Sequence, residues 1–156
     1  MPKPLSTEIV DALQASIRDH WTQIAMYETL ASHFTRWGYA KLGETYAAYA
    51  VEERGHAKQV MDRLEFFDVQ PSYEIVEPVW PRHDFEGILE VTYTFETTAA
   101  NDERAGYSLC IAQGDATTAA VFADLLAGSE EGMAYVEGIR LVIDQIGIDN
   151  YLANQT

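Results

Sequence analysis

From Ser6 to Trp37 the chain contains neither glycine nor proline, and Leu13, Ile17, His20, Ile24, Tyr27, Ala31 and Phe34 recur at alternating spacings of four and three. That spacing lays one stripe along a helix. It predicts helix A over about residues 6–37, opened by Ser6 or Thr7 as cap with Glu8 in the first turn, and closed by Gly38. The stripe resumes with Leu42, Tyr46, Tyr49, Glu53, His56, Val60, Arg63 and Phe67, which predicts helix B over about 40–68. Residues 70–83 then hold Pro71, Pro78 and Pro81 and lose the helical period, so they read as an extended connection long enough to cross the height of a bundle.

Helix C is predicted over about 84–113, with Asp84 as its cap and Phe85, Leu89, Thr92, Glu96, Ala99, Glu103 and Cys110 on one stripe. Gly114-Asp115 supplies a turn. Helix D follows over about 115–146, with Phe122, Leu126, Glu130 and Met133 along one face and Val136, Ile139, Val142 and Ile143 continuing the apolar surface. Gly128, Gly132 and Gly138 each weaken it by roughly 1 kcal/mol relative to alanine, so packing must stabilise it. Gly147 ends helix D and leaves 148–156 as a short tail or helix. Four long helices joined by two short turns and one long crossover have the connectivity of ferritin-like four-helix bundles. The expected fold is therefore all-α, two helical hairpins in a single domain spanning 1–156.

Composition narrows the chemistry. Hydrophobic residues make up 47% and charged residues 22%, the balance of a globular chain with enough apolar surface to bury. Twenty-five acidic residues against ten basic ones give a net charge of −15, which repels phosphate backbones and argues against nucleic acid as a partner. The N-terminal Met1-Pro2-Lys3-Pro4 precedes polar Ser6, Thr7 and Glu8 without an apolar signal core, and no run of eighteen apolar residues occurs. A cytoplasmic protein with no membrane partner is expected. The single cysteine, Cys110, cannot build a thiolate metal site alone, so any bound metal must use oxygen and nitrogen.

Each helical stripe is interrupted near its middle by a residue of metal-ligand type: His20, Glu53, Glu96 and Glu130. At about 1.5 Å rise per residue these lie at similar depth in their helices and should converge at one level of an up-and-down bundle. Glu53 and His56 are three apart on one face and can grip one ion from the same helix. Taken singly, a helical glutamate is usually solvated and a histidine on an apolar face usually a hydrogen-bonded core residue. Jointly, several buried carboxylates with only Arg63 as a nearby cation would each cost several kcal/mol in desolvation, which a metal ion would relieve. Glu103, two turns beyond Glu96 on the same stripe, reads as a surface residue, a salt-bridge partner or an accessory iron stop and not as a ligand of the centre. Trp21 and His33 are given only ordinary packing or surface roles.

The stretch Trp37-Gly38, the run Glu52-Glu53-Arg54-Gly55-His56-Ala57, the segment Glu130-Glu131-Gly132 and the tail Gly147-Ile148-Asp149-Asn150-Tyr151-Leu152 resemble the bacterioferritin family in order and spacing, over nearly the whole chain. The resemblance implies that Glu53 and Glu130 bridge two ions, that His56 and Glu96 ligate from helices B and C, and that Tyr27 is a redox tyrosine near the centre. Two positions depart from the family pattern: His20 stands in place of a helix A glutamate, and Met133 where a helix D histidine is expected. Because a thioether is a poor ligand for a hard cation, one tight and one weak iron site are expected, with zinc or manganese as substitutes. Arg54 occupies the place of the family's haem-ligating methionine, so no haem is expected.

These features imply Fe(II) binding, its oxidation by O2 or H2O2 at a ferroxidase centre weakened by His20 and Met133, and storage of iron in a homo-oligomer ranging from a dimer to a shell of about 24 subunits. Two alternatives remain. The chain is a cage-building variant subunit with a degraded centre, working in a hetero-oligomer with an active partner, or a small rubrerythrin-like oxidoreductase. The latter lacks the expected four-cysteine domain.

Overall fold

The computed structural model describes residues 4–156. It contains α1 (Thr7–Trp37), α2 (Ala40–Phe66), α3 (Phe85–Ala112), α4 (Ala116–Ile146) and the short α5 (Ile148–Ala153). α1 packs on α2 and α3 on α4 as antiparallel hairpins; α1 meets α3, and α2 meets α4, to close a four-helix bundle. Among the described residues no helix is long and apolar enough to cross a membrane.

Local chemistry sets the helix ends. Ser6 Oγ accepts the Ile9 N–H, Asp84 accepts from Gly87 and Asp115 from Thr118, so three of the long helices begin on a side-chain cap. Gly38 ends α1 at φ 103°, the left-handed conformation that glycine adopts without steric cost, while Tyr39 N–H returns to the Phe34 carbonyl. α5 folds back over this same end of the bundle: Tyr151 stacks on Phe85, and Lys41 donates to the carbonyls of Asn154 and Gln155.

The crossover is strapped along α1. Ser72 N–H donates to Gln14, Trp21 Nε1–H donates to the Ser72 carbonyl, Val76 N–H donates to Thr22, and Arg82 lies 3.2 Å from His33 Nδ1. Trp21 and His33 thus have a task that periodicity does not reveal, as fastening points for a segment without helical hydrogen bonds of its own.

The core is divided in two. One cluster gathers Met26, Leu30, Phe34, Leu42, Tyr46, Phe85, Ile88 and Val136, and the other Ile9, Leu13, Ile17, Val60, Leu64, Phe122 and Leu125. Between them, at the waist of the bundle, lies a layer of buried polar side chains.

Candidate metal centre

His20 of α1, Glu53 of α2, Glu96 and Glu103 of α3, and Ser129 of α4 are all buried, although their helices are apolar on either side. Each lies on the inward stripe of its helix, so the register that buries the two clusters also forces these groups into the waist. His20 Nδ1 is 2.8 Å from Glu53 Oε2, and His56 Nδ1 is 3.4 Å from Glu53 Oε1. One ligand atom from each of His20, Glu53 and His56 lies within 4.8 Å of the others. On the α3 side, Tyr27 Oη–H donates to Glu96, and Ser129 Oγ–H donates to Glu103 at 2.8 Å.

Burial alone would raise the Glu53 carboxyl, but hydrogen bonds from His20 and His56 outweigh it and bring the pKa down to about 2. The hydrogen bond to Glu53 in turn raises His56, against the opposing effect of burial. Glu96 behaves oppositely: burial pushes it up to about 8 despite the Tyr27 hydrogen bond. Burial likewise lifts Glu103 to about 7, against the Ser129 hydrogen bond. Burial and the neighbouring Glu96 raise the Tyr27 phenol well above its ordinary value.

The donor set fits a divalent cation. Imidazole and carboxylate together suit iron, manganese or zinc, and His20 Nε2 is buried without a hydrogen-bond partner among the described residues, which coordination would remedy. Among the described residues no lysine or arginine pairs with Glu53, Glu96 or Glu103; Arg63 instead pairs with Asp115 at 3.1 Å and hydrogen-bonds Thr118.

α4 requires a correction. Glu130 does not turn inward: its side chain is 59% exposed and faces Arg104 at 3.4 Å. From Phe122 onward the buried positions are Phe122, Leu125, Ser129, Val136 and Ile139, so the inward stripe runs one residue earlier than Leu126 and Glu130 suggest. Adjacent Leu125 and Leu126 make both registers equally apolar, and only packing distinguishes them. In the observed register Gly132, not Met133, faces Glu96, and a Cβ built on Gly132 would come 2.7 Å from the Glu96 carboxyl carbon. A Cβ on Gly128 would meet the His56 ring at 2.6 Å. α4 therefore approaches the centre with backbone and a hydroxyl, without an inward carboxylate or imidazole. Arg54 faces outward and pairs with Glu28.

Two buried residues of this layer stand outside the expected ligand set. Glu103 carries a readable signal, since it lies seven residues from Glu96 on the same face of α3. Ser129 carries none, because a buried serine leaves no mark in a hydrophobic pattern.

Residues 10–145 match the family model of the ferritin-like domain. The chain belongs to the ferritin-like family. Bacterioferritins of Mycolicibacterium paratuberculosis and Mycobacterium avium are each 24% identical over 146 residues, covering 94% of this chain and 92% of the relative. The bacterioferritin of Brucella melitensis is 26% identical over 115 residues, 74% of this chain and 71% of the relative. This ferritin-like chain is thus bacterioferritin-like over most of its length.

Proposed function

We propose that this chain binds Fe(II) at the centre formed by His20, Glu53 and His56, passes one electron per iron to O2 or H2O2, and retains the ferric product within an oligomeric shell. The observation that carries this reading is the buried His–Glu–His group at the waist, where no lysine or arginine offsets the carboxylates among the described residues. Iron is the substrate here, and the chain's own groups fix it and hold the nearby protons. Glu53 is poised as an anion, whereas Glu96 is held protonated against Tyr27 and must give up its proton before it can ligate. That asymmetry supports one tight and one weak position. Tyr27, hydrogen-bonded to Glu96, is placed to deliver a proton or an electron at the weak side.

Assembly is supported by exposed apolar residues at Tyr73, Ile75, Val76 and Val79 on the crossover and at Leu141 and Ile146 on α4. The cytoplasm suits the reading, because Fe(II) and a free thiol such as Cys110 persist in a reducing compartment.

A second reading is favoured by α4, whose inward Ser129 and Gly132 supply neither carboxylate nor imidazole. In that reading the chain builds a shell and binds iron without rapid turnover, in company with an active subunit. One experiment separates the two: Fe(II) is added to apoprotein in air while ferric absorbance and particle size are followed. Saturable oxidation by a large shell, abolished in Glu53→Ala, supports the first reading. A shell with only background oxidation supports the second, and a particle that neither binds nor oxidises iron contradicts both.

A further inference from the structure

Glu103 is 3% exposed, lies deep in the waist and is not among the three residues proposed above to hold iron. Its Oε2 accepts the Ser129 hydroxyl, which turns Oε1 toward His20. The gap from Oε1 to His20 Nε2 is 4.0 Å, too long for a hydrogen bond, and among the described residues Nε2 has no other partner although His20 is only 2% exposed.

The opposite edge of the same ring explains why Nε2 is left unpaired. Nδ1 lies 2.8 Å from Glu53, and a carboxylate can only accept, so Nδ1 carries the proton. In a neutral imidazole the lone pair then resides on Nε2, aimed toward Glu103. A carboxylate that fixes the tautomer of a histidine through one nitrogen and leaves the other free is the arrangement that supports metal-ligating histidines. Two ligand atoms each about 2.1 Å from one ion stand about 3.0 to 4.2 Å apart as the angle at the metal opens from about 90° to about 180°. The observed separation lies within that span.

We propose that His20, through the Nε2 by which it belongs to the centre proposed above, and Glu103 form a second divalent-cation position beside the Glu53–His56 pair, for a borderline ion such as Fe(II), Mn(II) or Zn(II). This rests on the reading that the centre binds metal and adds a position supplied by α1 and α3. Glu53 and Ser129 are its positioning residues: the first sets the tautomer of His20 and the second orients Glu103. α4 thereby contributes an aligning hydroxyl where it offers no ligand.

The test is an anaerobic Co²⁺ titration of the apoprotein, followed by visible absorption and by bound metal per chain, with helical circular dichroism as the folding control. Glu103→Gln, which preserves shape and can still accept from Ser129, should weaken binding at one position at least tenfold. Ser129→Ala, which keeps the carboxylate but frees it, should weaken the same position about tenfold. Glu130→Gln, on the surface, should leave it unchanged. If Glu103→Gln fails to fold, Ser129→Ala carries the test alone. Wild-type affinity and stoichiometry in the folded variants would overturn this position while leaving Co²⁺ at Glu53 and His56 intact. A wild-type protein that binds no Co²⁺ would overturn the underlying reading as well.

Discussion

Glu53 and Glu96 are both buried glutamates in one polar layer, yet their surroundings drive ionisation in opposite directions. Glu53 gains two imidazole hydrogen bonds and falls to about 2, so the stability it contributes is present above the ordinary carboxylate value and is lost as pH falls toward about 2. Glu96 and Glu103 gain too little to offset burial and rise to about 8 and about 7. For them the folded chain binds protons more tightly than the unfolded chain. Their contribution is complete below about pH 4.5 and disappears as pH rises through about 7 and about 8. His56, raised by Glu53, adds in the same sense: its contribution is full below the ordinary histidine value and lost as pH climbs past its raised one. The metal-free protein should therefore melt at a higher temperature at pH 5.5 than at pH 8.5, measured in the presence of a chelator. Glu96→Gln should flatten that dependence, since the amide does not titrate. A midpoint that is level, or higher at pH 8.5, would show that these carboxyls are not buried as described.

At the scale of the element, α4 shows where a hydrophobic period stops informing. The stripes of α1, α2 and α3 were legible because Leu13, Ile17, Val60, Leu89 and their neighbours mark one face unambiguously, and His20, Glu53 and Glu96 fall on those faces. In α4 the adjacent Leu125 and Leu126 allow two registers, one turning Ser129 inward and the other Glu130, and the residues that meet the centre are small ones. The glycines of this helix differ in consequence. Gly138 is exposed with nothing near its absent Cβ, so Gly138→Ala should raise stability by about 0.5–1 kcal/mol through helix propensity alone. Gly132→Ala should fall short of that gain by about 1–3 kcal/mol, because the new methyl group must displace the Glu96 carboxyl, itself pinned by Tyr27. Urea unfolding of the two variants gives the difference directly, and equal effects would mean that α4 does not approach Glu96 as closely as described.

For the molecule as a whole, two apolar clusters stabilise the bundle while the polar waist between them opposes stability until its charges are matched. The fold could be read from four helical stripes and one proline-rich crossover, because burying the apolar stripes is the main force that assembles such a bundle. Tertiary packing settled the rest: which face of α4 turns inward, how Trp21 and His33 fasten the crossover, and how Ser129 turns Glu103 toward His20. A net charge of −15 draws cations toward this surface, but among the described residues only the waist offers imidazole and carboxylate together in a buried setting. The central claim is that an iron ion occupies this waist. Crystals grown anaerobically with Fe(II) and measured on both sides of the iron absorption edge test it most directly. An anomalous peak within about 2.2 Å of Glu53 and His56 donor atoms is the result expected. Anomalous density confined to exposed surface carboxylates, with none between α1 and α2, would contradict it.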